Sequence, residues 1–172
     1  AQYSYPSKMG IRANQGNYGR FWYFEMRRLF SPAENIGGGL VVAEGSLDPF
    51  AFTSTQPSVA VNFLGSAWRD LVYEANTPSD SGVYGFAVDY RDVHPTVYII
   101  VDDTVIHTMV LDHVWVPIYP LLYGNPTEAA VPYDNALNFG ATPFENDPAA
   151  ALIGAGVSTD GFEPFWGDAN AP

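Results

Sequence analysis

Carboxylates are the most plentiful reactive groups in this chain: 19 Asp and Glu stand against 7 Lys and Arg and 3 His, for a net charge of −12. Two carboxylates facing each other across a cleft, about 5 to 9 Å apart, would hydrolyse a glycosidic bond, and a sandwich enzyme usually draws them from one strand as a spaced acidic cluster. Glu25 stands alone in its apolar run, Asp89 and Asp92 flank Arg91 near a turn, and no Glu-x-Asp-x-Glu cluster occurs. No Gly-x-Ser-x-Gly elbow presents a nucleophile, and the histidines are confined to His94, His107 and His113. No catalytic residue is assigned, and the chain is expected not to be an enzyme.

Metal chemistry fares similarly. On a strand, the spacing of His107 and His113 separates the two rings by about 20 Å, too far to share one ion, although Asp112 adjoins the second. Asp102 and Asp103 offer hard oxygen ligands for calcium, but a hairpin turn calls for Asp at the same place. With no Cys there is neither a disulfide framework nor a thiolate site, so no metal and no cofactor are expected.

Recognition chemistry is better represented. In "GSAWRDLVY", Trp68, Arg69, Asp70 and Tyr73 gather the residue types that dominate protein hot spots, and a ring beside polar groups also suits sugar stacking. The competing reading is a loop tryptophan that plugs the end of the fold while Arg69 and Asp70 solvate it. The segment "STDGFEPFWGDANAP" sets Phe162, Phe165 and Trp166 among acids, which is unlike a disordered tail. It either packs back on its own domain or docks a neighbouring subunit.

Charge narrows the partners. Five of the seven basic residues (Lys8, Arg12, Arg20, Arg27, Arg28) precede residue 30, while Asp92 to Pro172 holds eleven acids and no Lys or Arg. Nucleic acid and anionic membrane are therefore poor partners, and a basic protein surface is a better one. Apolar runs fall short of the about 18 residues of a membrane span, and "AQYSYPSKMG" lacks the apolar stretch of a signal peptide.

These groups must be positioned by strands. Hydrophobic residues make up 47% of the chain, and 16 Gly and 14 Pro are scattered without a period, a pattern of short strands and turns. "RFWYFEMRRLF" alternates, with Trp22, Phe24 and Met26 on a buried face and Phe21, Tyr23, Glu25 and Arg27 on a partly polar outer face. "IGGGLVVA", "SVAVNF", "LVYEA" and "VYGFAVDY" read as further strands, and "VYIIV" and "VIHTMVL" flank "DDT" as a hairpin. "WVPIYPLLYG" carries two prolines and reads as an edge strand or the approach to one. "NALNFG" reads as the last strand, and "PAAALIGAG" alone could form a short helix. The expected fold is an all-β, antiparallel two-sheet β-sandwich.

The order of these segments carries a resemblance. "GRFWYFEMRRLFSPAENIGGGLVVAEGSLD" resembles the opening of SPRY domains, "GVYGFAVDYRDVHPTVYIIVDDTVI" their central signature, "VPIYPLLYG" the strand around a proline, and "ALNFGATPF" the closing element. The match spans residues 16–146, with Asp102-Asp103-Thr104 standing where that family usually has Asn-Gly. The resemblance implies a concanavalin-like jelly roll over residues 1–146 with an irregular N-terminal lead-in, followed by an acidic, aromatic tail over 147–172. It also implies a binding module that presents loops to a protein or peptide; related sandwiches bind sugars. By elimination, the expected role is a virion component, a phage head-decoration or tail-fibre subunit made in the host cytoplasm. It would bind other virion subunits or copies of itself through its terminal arms. A carbohydrate-binding lectin, in an extracellular setting, and a protein-binding SPRY adaptor are the alternatives.

Overall fold

The computed structural model describes residues 9–12, 21–30, 36–42, 58–62, 66–69, 72–76, 82–111, 118–124 and 134–164. In chain order the elements are β1 (Met9–Arg12), β2 (Phe21–Phe30), β3 (Ile36–Val42), β4 (Ser58–Asn62), β5 (Ser66–Arg69), β6 (Val72–Asn76) and β7 (Val83–Asp89). There follow β8 (Thr96–Val101), β9 (Thr104–Val110), β10 (Ile118–Gly124), β11 (Asp134–Asn138), α1 (Pro148–Gly154) and β12 (Phe162–Pro164). One sheet runs β1-β10-β3-β4-β5-β6; the other runs β11-β2-β7-β8-β9, with β12 added to β2. Among the described residues all pairings are antiparallel except that of β12 with β2.

Period-two alternation builds the core between the sheets. Trp22, Phe24 and Met26 of β2, Tyr84, Phe86 and Val88 of β7, and Val97, Ile99 and Val101 of β8 face Leu40, Val59, Val61, Ala67 and Ile118 of the other sheet. Phe24 stacks on Phe86 with ring centroids 5.0 Å apart.

Two sequence readings need revision. The outer face of β2 is not a solvent face: Phe21, Tyr23 and Glu25 are buried, and only Arg27 of that set is exposed. Alternation tells which residues share a face, not whether something covers it, and here α1 and the chain around it supply a third layer. Ala151 and Leu152 of α1 pack with Phe21, Tyr23, Ala87 and Ile100, joined by Phe144, Val157 and Phe162. The proline-bearing β10 is not an edge strand along its whole length, since it lies between β1 and β3. Pro120 pairs with Leu40 of β3, but the β1 register reaches only Leu121, so the proline sits just past the last β1 partner, where no ladder donor is required.

The helix is short, and its ends are tightly specified. The Asp147 carboxylate accepts from the Ala150 N–H at 3.0 Å, and Pro148 occupies the first turn. At the other end Gly156 adopts φ 76°, while Val157 N donates to Leu152 O and Gly156 N to Ile153 O at 2.9 Å each, a Schellman closure that brings Val157 back onto Leu152's cluster.

The chain reaches that third layer by rounding the β11 side of β2. Asn138 holds the crossing: its side-chain amide donates to Thr142 O and Pro143 O at 3.2 Å, and its Oδ1 accepts from Gly140 N at 3.0 Å. Phe139 packs on the inter-sheet core and Phe144, five residues on, meets Tyr23 edge-on at 4.7 Å. Glu25 then fastens the segment. Its carboxylate accepts from Glu145 N at 2.9 Å, Asn146 N at 2.8 Å, Asn146 Nδ2 at 3.1 Å and the Tyr23 hydroxyl at 3.0 Å. Burial pushes the Tyr23 phenol up, with the neighbouring Glu25 charge adding to the effect, so the phenol remains the donor in this pair. Opposite it, a Cβ on Gly85 would overlap the Tyr23 hydroxyl. From the far side, the Asp102-Asp103 turn joins in: Asp103 N donates to Asn146 Oδ1 at 3.1 Å, and Asp103 Oδ1 accepts from Asp147 N at 2.5 Å. Both turn residues lie in the left-handed region, φ 48° and 58°, as a two-residue hairpin requires.

Two outcomes follow. Glu25→Ala strips the acceptor from buried N–H and O–H donors and is expected to lower unfolding free energy by about 3 kcal/mol, read by urea denaturation. Gly85→Ala is expected to cost about 1–3 kcal/mol, because Tyr23 must leave its rotamer to admit the methyl group.

Candidate binding site

The β5–β6 hairpin carries the residues that sequence chemistry favours for recognition. Its ladder sets Arg69 opposite Val72 and Trp68 opposite Tyr73, then shifts so that Ala67 faces Ala75. Glu74 is therefore the extra residue of a bulge. β9, the last strand of the other sheet, carries a second bulge: Ile99 pairs with His107 and Ile100 with Val105, leaving Ile106 unpaired. Bulges at sheet edges re-aim side chains, and here the bulged Glu74 meets His107, the neighbour of the second bulge's extra residue. Glu74 accepts from Arg69 Nε at 2.5 Å and meets His107 Nε2 at 3.1 Å, while Arg69 Nη1 donates to Val110 O at 2.6 Å. The hairpin is thereby tied across the sandwich to the opposite sheet.

Beside this tie three large apolar or aromatic side chains are exposed. Val72 is 62% exposed, Tyr73 56% and Val110 47%. Val72 is Arg69's ladder partner, and Val110 supplies the carbonyl that Arg69 holds. Of the four residues read as a binding set, the structure brings Arg69 and Tyr73 to one hairpin and places Trp68 by its backbone register; Asp70 lies outside the described residues. Arg69 donates to the Glu74 carboxylate and to the Val110 carbonyl. The Glu74–His107 contact escaped the sequence reading because it joins residues 33 apart through two bulges, and strand alternation does not anticipate bulges.

The aromatic segment read as an assembly contact divides. Phe162 begins β12, pairs in register with Phe21 and packs edge-on against its ring at 5.0 Å. Phe165 and Trp166 lie outside the described residues. Arg91 straps the approach to β12: its guanidinium grips Asp89 through Nε at 2.9 Å and Nη2 at 2.7 Å, donates to Ser158 O at 2.8 Å and Asp160 O at 3.1 Å, and lies 4.5 Å over the Phe21 ring. The hydrogen bonds it donates to Asp89 hold its pKa above the usual guanidinium value, so it stays a cation.

The reactive carboxylates are engaged structurally. Glu25 is enclosed by donors, and Asp89 is gripped by Arg91. Asp102 and Asp103 form the turn that holds Asn146 and Asp147. Among the described residues, no group of three or more His, Asp or Glu stands close enough to hold a metal ion. Asp112 and His113 lie outside them.

The cross-sheet tie has a measurable role. Glu74→Ala is expected to raise amide exchange across 66–76 severalfold and to lower stability by about 1 kcal/mol, leaving the Trp22–Phe86 core signals in place.

No family model matches the chain, and no curated protein matches it. Solved structures do. A human SPRY domain superposes with a TM-score of 0.57 at 17% identity, covering 82% of this chain and 91% of that one. The TRIM65 PSpry domain gives 0.46 at 13% identity over 75% of this chain and 69% of its own. A β-glucanase of Bacillus licheniformis gives 0.41 at 15% identity over 78% and 65%. With its two antiparallel sheets and the strand order described, the chain has the fold of a SPRY domain, a concanavalin-like β-sandwich.

Proposed function

We propose that the chain is a non-enzymatic recognition module that binds a protein partner through the β5–β6 hairpin. The observation that carries this reading is the exposure of Val72 and Tyr73 on a hairpin held rigid from the opposite sheet. Exposed apolar and aromatic side chains on a fixed backbone bind without a large ordering cost. The SPRY-like fold supports the reading by analogy only, since folds host many functions.

The proposed setting is a virion, in which the acidic chain meets basic surfaces of other subunits; the segregation of charge along the sequence supports it. The residues that would dock are narrower than the whole C-terminal segment. Phe162 is spent on β2, which leaves 165–172, with Phe165 and Trp166, as the candidate arm.

A photo-crosslinking amino acid placed at Tyr73 in the cells that make the protein is expected to trap a discrete protein adduct, and the same probe at exposed Ile153 on α1 to trap none. No adduct at 73, or equal adducts at both, overturns the hairpin reading. Selective glycan binding lost on Tyr73→Ala would replace it with the lectin reading. Removal of 165–172 leaves β12 and the Arg91 strap whole, and light scattering on that variant is expected to show loss of self-association or of subunit docking. Unchanged assembly would remove the arm from the proposal.

A further inference from the structure

We propose that the Asp160–Gly161 bond is a site of spontaneous isoaspartate formation, and that the modification releases β12 from β2. The chain holds one Asp-Gly pair and no Asn-Gly pair. Ring closure at an Asp requires the main-chain nitrogen of the next residue to reach the side-chain Cγ, and a side chain on that residue obstructs the approach. Gly161 has none; it is exposed at φ 74°, and the space where a Cβ would stand is empty to 4 Å. Among the described residues nothing accepts from the Gly161 N–H, and no donor holds the exposed Asp160 carboxylate. Asp89, Asp92, Asp102, Asp103 and Asp147 are placed less favourably. Arg91 grips both oxygens of Asp89. The nitrogen that follows Asp102 is committed, since Asp103 N donates to Asn146 Oδ1. Asp103 accepts from Asp147 N and precedes the β-branched Thr104, and Asp92 precedes the β-branched Val93. Asp147 precedes Pro148, whose nitrogen has no proton to lose.

In the first step the Gly161 nitrogen bonds to Cγ of the protonated Asp160 side chain, the Cγ–OH bond breaks, and water leaves with the amide proton. A five-membered succinimide results. Water then adds back. Addition at Cγ restores Asp160; addition at the main-chain carbonyl leaves the chain running through Cγ, with the former carbonyl as a free carboxylate. No atom is gained or lost overall, and water is the one co-reactant.

The main chain thereby lengthens by one C–C bond, about 1.5 Å, between two grips. Upstream, Arg91 holds Ser158 O at 2.8 Å and Asp160 O at 3.1 Å. Downstream, Phe162 stands in register with Phe21, their ring centroids 5.0 Å apart. Phe162 N closes the turn between the grips by donating to Thr159 O at 3.0 Å, and an extra atom inside that hydrogen-bonded ring spoils its geometry. The upstream grip survives, because the oxygen of Asp160 that Arg91 holds becomes a carboxylate oxygen and a stronger acceptor. The strain falls on β12, which is three residues long and has no further pairs to keep it in register.

The test ages the full chain in neutral buffer at physiological temperature. Isoaspartate is read by enzymatic methyl labelling and located by electron-transfer fragmentation of its peptides. It is expected to accumulate at position 160 severalfold faster than at any other Asp. Asp160→Glu keeps the charge but would have to close a six-membered ring, and is expected to abolish the signal. Asp160→Asn loses ammonia in place of water, reaches the same product, and is expected to accumulate it severalfold faster. In the modified fraction, separated by chromatography, the amides of Phe21 to Tyr23 and of Phe162 and Glu163 are expected to exchange severalfold faster, while those of Val59 to Val61 in the other sheet stay unchanged. No isoaspartate at 160, or an equal rate at Asp92 or Asp102, overturns the site. Isoaspartate at 160 with exchange unchanged around β12, or raised equally throughout the chain, overturns the release.

Discussion

A single buried carboxylate sets the shape of this protein. Glu25 sits 3% exposed in the middle of β2, the longest strand among the described residues, where an unpaired charge would be untenable. It is tolerated because the backbone N–H groups of Glu145 and Asn146, the Asn146 amide and the Tyr23 hydroxyl converge on it. That convergence works in both directions. The donors belong to a loop that would otherwise carry unsatisfied groups under α1, so the carboxylate licenses the loop as much as the loop licenses the carboxylate. The Asp103 turn grips the next residues from the other side, and the helix begins at Asp147. A three-layer arrangement thus grows from one charge placed where a two-layer sandwich would have shown solvent.

The candidate site follows a different logic. It is assembled where the last strands of the two sheets approach each other, and each contributes an irregularity. The extra residue in β6 turns Glu74 toward His107, and Arg69 reaches the main chain of β9. The hairpin is therefore anchored by polar contacts at its root while its apolar residues remain outside. The same division between a fixed root and an open surface is absent near β12, where Phe162 and the Arg91 strap are absorbed into the domain's own packing.

How much of this was legible in the sequence depends on range. The alternation in β2, β7 and β8 and the hairpin around Asp102-Asp103-Thr104 are local signals; the structure keeps the hairpin but narrows its turn to Asp102-Asp103, with Thr104 already in β9. The order of the SPRY-like segments carried the topology. Glu25 was visible as a lone acid in an aromatic run, yet period two assigns it only a face; its burial depends on a loop some 120 residues away. The Arg69–Glu74 contact spans five residues and follows from a bulge, while Glu74–His107 requires a second bulge in another sheet. Neither irregularity has a glycine or proline to announce it. Tyr73 and Arg69 stood out by residue type alone, which is why they could be named without their geometry.

The completion of β2 has a consequence for how the chain comes into being. One edge of that strand is shared by β11 and, over Phe21 to Tyr23, by β12, so a segment near the start is finished by residues near the end. Such pairings join very distant stretches and slow folding. On a ribosome, the strand emerges early, and the Phe21 to Tyr23 part of that edge stays bare until Phe162 to Pro164 clear the exit tunnel. Closure of this sandwich thus waits for β12, and the interval before it is when a nascent chain most needs protection from its neighbours.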